Sequence, residues 1–203
     1  MLFHMPSTKI SRASFVLAGG KSSRMGSDKA FLKFGGQTLL QRAISVAATV
    51  SDRVLIVGDP EKFAQYGATV KDLFAGCGPL GGIHAALVSS NADLNLVLAV
   101  DMPFVSSGLL AFLFASAEDA KALITVPRAG NGLQPLCAIY RREFAADAET
   151  ALRAGKYKID ALFSGLPIHL IDESTLAAAG FSAQTFFNVN TPNDRLAADA
   201  ESL

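Results

Sequence analysis

An α/β fold built around a mostly parallel sheet is predicted by three features of the sequence. Apolar runs rich in Val, Ile and Leu recur at 14–18, 53–57, 95–100, 122–126 and 135–140. Helix-like segments fall between them, at 37–49, 81–90, 107–117 and 142–154. The polar and glycine-rich motifs follow the strand-like runs instead of interrupting them. Such alternation implies βα units whose crossover helices cover both faces of the sheet. Ligands of these sheets bind beyond the carboxyl ends of the strands.

Residues 1–12 are polar, carry Pro6 and hold no sustained apolar core, so they read as a flexible N-terminal tail and not as a secretory signal. The run at 14–18 delivers the chain into Gly19-Gly20, and the run at 53–57 ends in Val57-Gly58-Asp59-Pro60. A short strand in Thr69-Val70-Lys71-Asp72 precedes the loop Ala75–Gly82, which opens a helix near Ile83. Leu94 to Val100 is the most hydrophobic stretch; it is too short to cross a bilayer and reads as a central strand ending on Asp101. Val105-Ser106-Ser107 starts the next helix, and the Phe residues of 104–114 recur at helical spacing, as core residues do. From Pro127 the pattern is less regular, and Gln134-Pro135 and Asn188-Val189-Asn190-Thr191-Pro192 read as loop edges on the acceptor side of a cleft. No linker or internal repeat divides the chain, so 13–203 is expected to form a single domain.

Composition excludes several functional classes. The chain has 203 residues, half of them hydrophobic, which is enough for a full core. Eighteen basic and eighteen acidic residues give no net charge, hence no global field for nucleic acid or an anionic membrane. Recognition of an anion must therefore be local. Cys77 and Cys137 stand without a second pair, which argues against a zinc ribbon or disulfide framework and fits a reducing cytoplasm. Each reads as a small apolar filler. His4, His84 and His169 share no spacing, and no Ser/His/Asp grouping supports a nucleophilic mechanism. His84, on an apolar helix, reads as a satisfied core or surface residue.

Chemistry concentrates in Leu17-Ala18-Gly19-Gly20-Lys21-Ser22-Ser23-Arg24-Met25-Gly26-Ser27-Asp28-Lys29. Glycines let a phosphate approach the backbone, and consecutive N–H groups in such a turn form an anion-binding nest. The segment matches neither the P-loop spacing nor Gly-x-Gly-x-x-Gly. Asp101, at the tip of a buried strand and just before Met102-Pro103, is placed to ligate Mg²⁺, which takes one or two carboxylates plus phosphate oxygens and water. The competing reading is a helix cap, a role that Ser106 also fits. Asp72 is read either as an acceptor for the N1 and N2 donors of guanine or as an exposed turn residue. Gly78, Gly81 and Gly82 allow close backbone approach to a nucleoside and lead into a helix N-terminus that favours anions.

Together, the Leu17–Lys29 segment, Gly78-Pro79-Leu80-Gly81-Gly82, Asp101-Met102-Pro103, Gln134-Pro135 and Asn188–Pro192 resemble the molybdenum cofactor guanylyltransferases of the MobA type. The resemblance runs from Phe15 to Asp194. It implies a Rossmann-like three-layer nucleotidyltransferase fold and transfer of GMP from GTP to molybdopterin-bound molybdenum, with Mg²⁺ and release of pyrophosphate. It also implies that Leu17, Ala18 and Gly19 contact GTP through their backbone; the glycine-rich loops add Gly20 and Gly78 to the expected nucleotide site. By the same resemblance Lys29 is expected to bind the phosphates, Asp72 to contact the nucleotide and Asp101 to hold the metal, and the charge of Arg24 suits it to neutralise phosphate beside Lys29. The expected partners are GTP, molybdenum-molybdopterin and molybdoenzyme-maturation proteins. Where the family often places an Asn after the second strand, this chain has Gly58-Asp59. Two alternatives remain at this point: a CTP-dependent enzyme acting on the molybdenum cofactor or a polyol phosphate, and a non-catalytic GTP-binding delivery protein.

Overall fold

The computed structural model describes residues 10–19, 28–130 and 132–189. The strands and helices, in chain order, are β1 (Arg12–Leu17), β2 (Lys33–Phe34), β3 (Gln37–Thr38), α1 (Leu39–Ala48), β4 (Arg53–Val57), α2 (Pro60–Phe63) and β5 (Thr69–Val70). They continue with α3 (Pro79–Ser89), β6 (Leu94–Ala99), α4 (Ser107–Ala120), β7 (Ile124–Ala129), β8 (Gly132–Leu133) and β9 (Cys137–Tyr140). The last are α5 (Phe144–Arg153), α6 (Ile159–Leu162), β10 (Ile168–Ile171) and α7 (Glu173–Ala178).

The main sheet has the order β10-β7-β9-β6-β1-β4-β5, with β8 paired to β7. Along that path only β9 runs against its neighbours, so the sheet is mostly parallel as expected. Period-two alternation sends side chains to two cores. Val16, Ile56, Leu96 and Leu98 face α1 and α4 on one side, while Phe15, Leu17, Leu55 and Val97 face α3 and α5 on the other. This makes three layers. The central strand β6 is buried along its whole length, and its one polar residue, Asn95, is satisfied. Asn95 accepts from the Ser90 hydroxyl and donates to the carbonyls of Ala92 and Tyr140 at 3.3 and 3.2 Å.

Local chemistry sets several boundaries. Gly35 and Gly36 both have positive φ, 56° and 84°, as a two-residue turn between β2 and β3 needs. Thr38 and Gln41 form a reciprocal capping box on α1. Ser106 caps α4 by accepting from Leu109 N at 3.3 Å, so Asp101 is not needed there. The Phe residues of 104–114 are core: Phe114 is fully buried, and Phe104 packs edge-on against Phe34.

Residues 11 and 12, expected to belong to a tail, are held in the fold. Arg12 opens β1 and forks onto Glu118 of α4, at 3.0 and 2.6 Å. Ser11 bonds Asp93 through its amide and hydroxyl, at 2.8 and 2.7 Å. Residues 1–9 lie outside the described residues. The C-terminal third is also more regular than its sequence suggests, because α6, β10 and α7 follow α5. β10 extends the sheet beyond β7, where its short, half-buried run gives a weak periodic signal. No described helix is long and apolar enough to cross a membrane.

Two outcomes follow from this packing. Burial pushes the Cys137 thiol up to about 12, so a thiol reagent at pH 8 modifies the partly exposed Cys77 and leaves Cys137 unlabelled until the protein is unfolded, as read by mass spectrometry. The Thr175 amide, aided by the Ser174 hydroxyl, holds the α7-capping carboxylate of Asp172 down to about 2 from its usual 3.8. That cap contributes fully above the usual value and is lost as pH falls through about 2, so an NMR titration of Asp172 has its midpoint near 2.

Candidate active site

The chain leaves β1 for β4 and β5 on one side and then crosses to β6 on the other, so the strand order switches direction between β1 and β6. At such a switch the connections diverge and leave a crevice at the carboxyl edge. Backbone bonds lock its floor. Val100 N donates to Leu17 O at 3.2 Å, while Ala18 N and Gly19 N share Val57 O at 3.0 and 3.1 Å. The nest expected to begin at Gly19 therefore lacks that amide, which is spent on β4. Gly20 and Arg24 lie outside the described residues.

Glycine at 58 has a steric cause. A Cβ there would meet the Phe63 ring at 2.8 Å, and the Gly19 position faces Gly58 Cα at 3.5 Å. Asp59, which follows the second long strand where the family often has Asn, accepts from Glu61 N at 3.0 Å and caps α2. Its proline at the first helical position completes a standard helix start.

Lys29 and Asp101 are brought together from 72 positions apart. Lys29 Nζ lies 3.4 Å from Asp101 Oδ2, and both side chains are about one-fifth exposed. Lys29 begins a 3-10 turn, Lys29–Phe31, capped by Asp28, which accepts from Ala30 N at 2.9 Å. Asp28 also pairs with Lys62 of α2, whose ammonium lies 5.6 and 5.4 Å from the ring centroids of Phe31 and Phe63. The downstream end of the glycine-rich segment is thus pinned to α2. Asp101 is fixed from behind, because Val189 N donates to its carbonyl at 2.9 Å. Asn188-Val189 therefore lies beside the end of β6, whereas Asn190, Thr191 and Pro192 lie outside the described residues. Gln134 closes the end of β7 by donating through Nε2 to Ala129 O at 3.1 Å.

Asp72 follows β5 and is half-buried. Its Oδ1 accepts from Phe74 N at 2.8 Å. Its carboxylate lies against the first turn of α3, where a Cβ on Gly81 would come within 2.9 Å of Oδ1 and 3.0 Å of both Oδ2 and the Phe74 carbonyl. Gly78, at φ 70°, begins α3 without a side-chain cap, and Pro79 follows it. That positive φ selects glycine. His84, read as satisfied, is 3 % exposed, and neither ring nitrogen has a hydrogen-bond partner among the described residues. The sequence places it on an apolar helix but says nothing about partners in α5.

No group of three His, Cys, Asp or Glu side chains able to hold a metal occurs among the described residues. Asp101 alone still fits Mg²⁺ shared with a polyphosphate, since that ion takes most of its ligands from water and phosphate. Sequence reasoning missed Asp28, Lys62, Phe74 and Val189 as supports. Asp28 carries a cap signature one residue before Lys29, but the other three act through contacts between distant segments.

Residues 14–168 match the family model described as "MobA-like NTP transferase domain". The chain is 39 % identical over 181 residues to a probable molybdenum cofactor guanylyltransferase of Pelotomaculum thermopropionicum, covering 88 % of this chain and 87 % of the relative. It is 32 % identical over 188 residues to the molybdenum cofactor guanylyltransferase of Desulfosudis oleivorans, covering 91 % and 93 %. Among solved structures, molybdopterin-guanine dinucleotide biosynthesis protein A of Archaeoglobus fulgidus is similar, with a TM-score of 0.81, 28 % identity and coverage of 94 % of this chain and 98 % of that one.

Replacing Gly81 with Ala tests the packing beneath Asp72. The added methyl collides with a carboxylate and a backbone carbonyl, a cost that exceeds the roughly 1 kcal/mol Ala gains over Gly in a helix. A net loss of about 1 kcal/mol is expected in urea unfolding.

Proposed function

Because the chain belongs to the MobA-like NTP transferase family, we propose that it transfers GMP from GTP to the molybdenum-molybdopterin cofactor and releases pyrophosphate. The Lys29–Asp101 pair at the strand-order switch is the observation that carries this reading. It sets a cation and a carboxylate side by side where a polyphosphate would lie, and the relatives' names supply the substrates. Residues 13–203 act as one nucleotidyltransferase domain.

The nucleotide spans the carboxyl edge from β5 to β6. At about 4.8 Å per strand, the tips of these strands are about 14 Å apart, a span suited to a nucleoside triphosphate and not to a lone phosphate. The base lies toward Asp72, whose carboxylate accepts from the N1 and N2 donors of guanine. Leu17, Ala18, Gly19 and Gly20 line the nucleoside, and Gly78 admits it close to the α3 N-terminus. Because the amides of Ala18 and Gly19 are held by Val57, these residues offer the nucleotide their carbonyls and surfaces instead of their N–H groups.

Arg24 and Lys29 hold the phosphates, and Asp101 would hold Mg²⁺. When bound, that ion neutralises charge on the phosphates during transfer. A terminal phosphate oxygen of the acceptor forms a bond to the α-phosphorus as the bond from that phosphorus to the β-phosphate bridge breaks. The electron pair leaves with pyrophosphate. Lys29 moves no proton in this step; it offsets negative charge as two anions are brought together. Asn188 and its neighbours face the acceptor side. GTP, the molybdenum-molybdopterin acceptor and molybdoenzyme-maturation proteins are the proposed partners, and the cytoplasm is the proposed location.

Pyrophosphate release, measured with GTP, CTP or ATP in the presence of molybdopterin and Mg²⁺, tests this reading. GTP is expected to be the preferred donor; preference for CTP would establish the cytidylyl alternative, and nucleotide binding without release would establish a delivery role. Lys29→Ala or Asp101→Ala is expected to lower turnover on the order of a hundredfold to a thousandfold, with an unchanged circular dichroism spectrum.

A further inference from the structure

Four side chains close a circuit around the loop that carries Asp72. The Phe74 ring meets the His84 imidazole of α3 edge to face, with centroids 5.1 Å apart and an interplanar angle of 81°. His84 Nε2 lies 3.8 Å from Glu149 Oε2 on α5, close enough for charge but too far for a hydrogen bond. The other oxygen of Glu149 accepts from Nε and Nη2 of Arg153, at 2.9 and 2.6 Å. Hydrogen bonding from Arg153, with its charge, holds the Glu149 carboxyl below its usual range. The guanidinium of Arg153 then returns over Phe74, 5.9 Å from its centroid.

The backbone of Phe74 is the working end of this circuit. Its amide donates to Asp72 Oδ1 at 2.8 Å, and its carbonyl accepts from Cys77 N at 3.1 Å. The Phe74 carbonyl and both Asp72 oxygens also sit against the bare face of Gly81. The Asp72 carboxylate is thus bonded to the same backbone that carries the Phe74 ring.

His84 is buried without a hydrogen bond among the described residues, a costly state for an imidazole. A leucine at this point of α3 would fill the space without that cost. The imidazole instead stands perpendicular to the Phe74 ring and presents a nitrogen toward Glu149, linking loop, α3 and α5.

We infer that His84, backed by Glu149 and Arg153, is a positioning residue for base selection: through Phe74 it holds the Asp72 carboxylate at the angle that accepts guanine. The inference rests on the reading of Asp72 as the base acceptor. His84 touches neither phosphate nor metal in this scheme, so its loss should alter which nucleotide is used without slowing transfer.

The test compares His84→Ala, His84→Phe and Arg153→Ala in the full chain; Arg153 is largely exposed, so its replacement does not endanger folding. In His84→Ala the KM for GTP is expected to rise about tenfold, and the kcat/KM preference for GTP over CTP to fall by a similar factor, with kcat within about twofold. His84→Phe, which keeps a ring against Phe74, should recover most of the loss, and Arg153→Ala should shift KM about threefold in the same direction. In an Asp72→Ala background, His84→Ala should add nothing. Wild-type KM and selectivity in both His84→Ala and Arg153→Ala, or equal losses with GTP and CTP, would overturn the inference. Amide exchange of Phe74 and Cys77 in nucleotide-free protein separates it from the functional reading. Unchanged protection in His84→Ala overturns the positioning, whereas faster exchange in an enzyme whose wild type ignores the base supports the positioning and removes the role of Asp72.

Discussion

The parallel pairing of β1 with β4 on one side and β6 on the other is the constraint on which the site depends. It aligns three strand ends at one edge and sends the two crossovers in opposite directions. The bonds just beyond the ladders, from Val100 to Leu17 O and from Ala18 and Gly19 to Val57 O, hold those ends in register. Lys29 and Asp101 meet there although 72 positions separate them. Without the switch in strand order, a cationic segment after β1 and a carboxylate after β6 would have no common space.

Around that edge, the protein supplies locally what its net charge does not. A chain with no formal net charge has no long-range pull on a polyphosphate, so attraction has to come from groups fixed at short range. Asp28 and Lys62 anchor the turn that presents Lys29, and Val189 fixes the backbone of Asp101. The turn that presents Lys29 and the backbone that presents Asp101 are therefore each held by a distant segment. Glycines act here by absence: Gly58 leaves room for the Phe63 ring and Gly81 leaves room for the Asp72 carboxylate.

Much of the layout was legible because it is local. The run at 53–57 coincides with β4, and the helix expected over 107–117 lies inside α4, because buried strands and capped helices announce themselves by composition and by Ser106. The edge strand β10 and the short helices α6 and α7 were not legible, since a few half-buried residues carry too little periodicity to stand out. The tail boundary failed for a different reason. Ser11 and Arg12 are polar, yet they are held by Asp93 and Glu118, partners some eighty and a hundred positions away.

By itself, the sequence determined the alternation of strands and helices, the placement of Gly19, Asp72 and Asp101 just past strand ends, and the family resemblance, because these reside in composition and spacing along a contiguous chain. Only the tertiary structure decided that β9 runs antiparallel, that the Gly19 amide is spent on Val57, that Lys29 faces Asp101, and that His84, without a hydrogen bond among the described residues, packs against Phe74. The physical reason is range. Backbone preference and hydrophobic period act over a few residues, whereas a hydrogen-bond partner or an ion pair is chosen by which surfaces the folded sheet brings within a few ångströms.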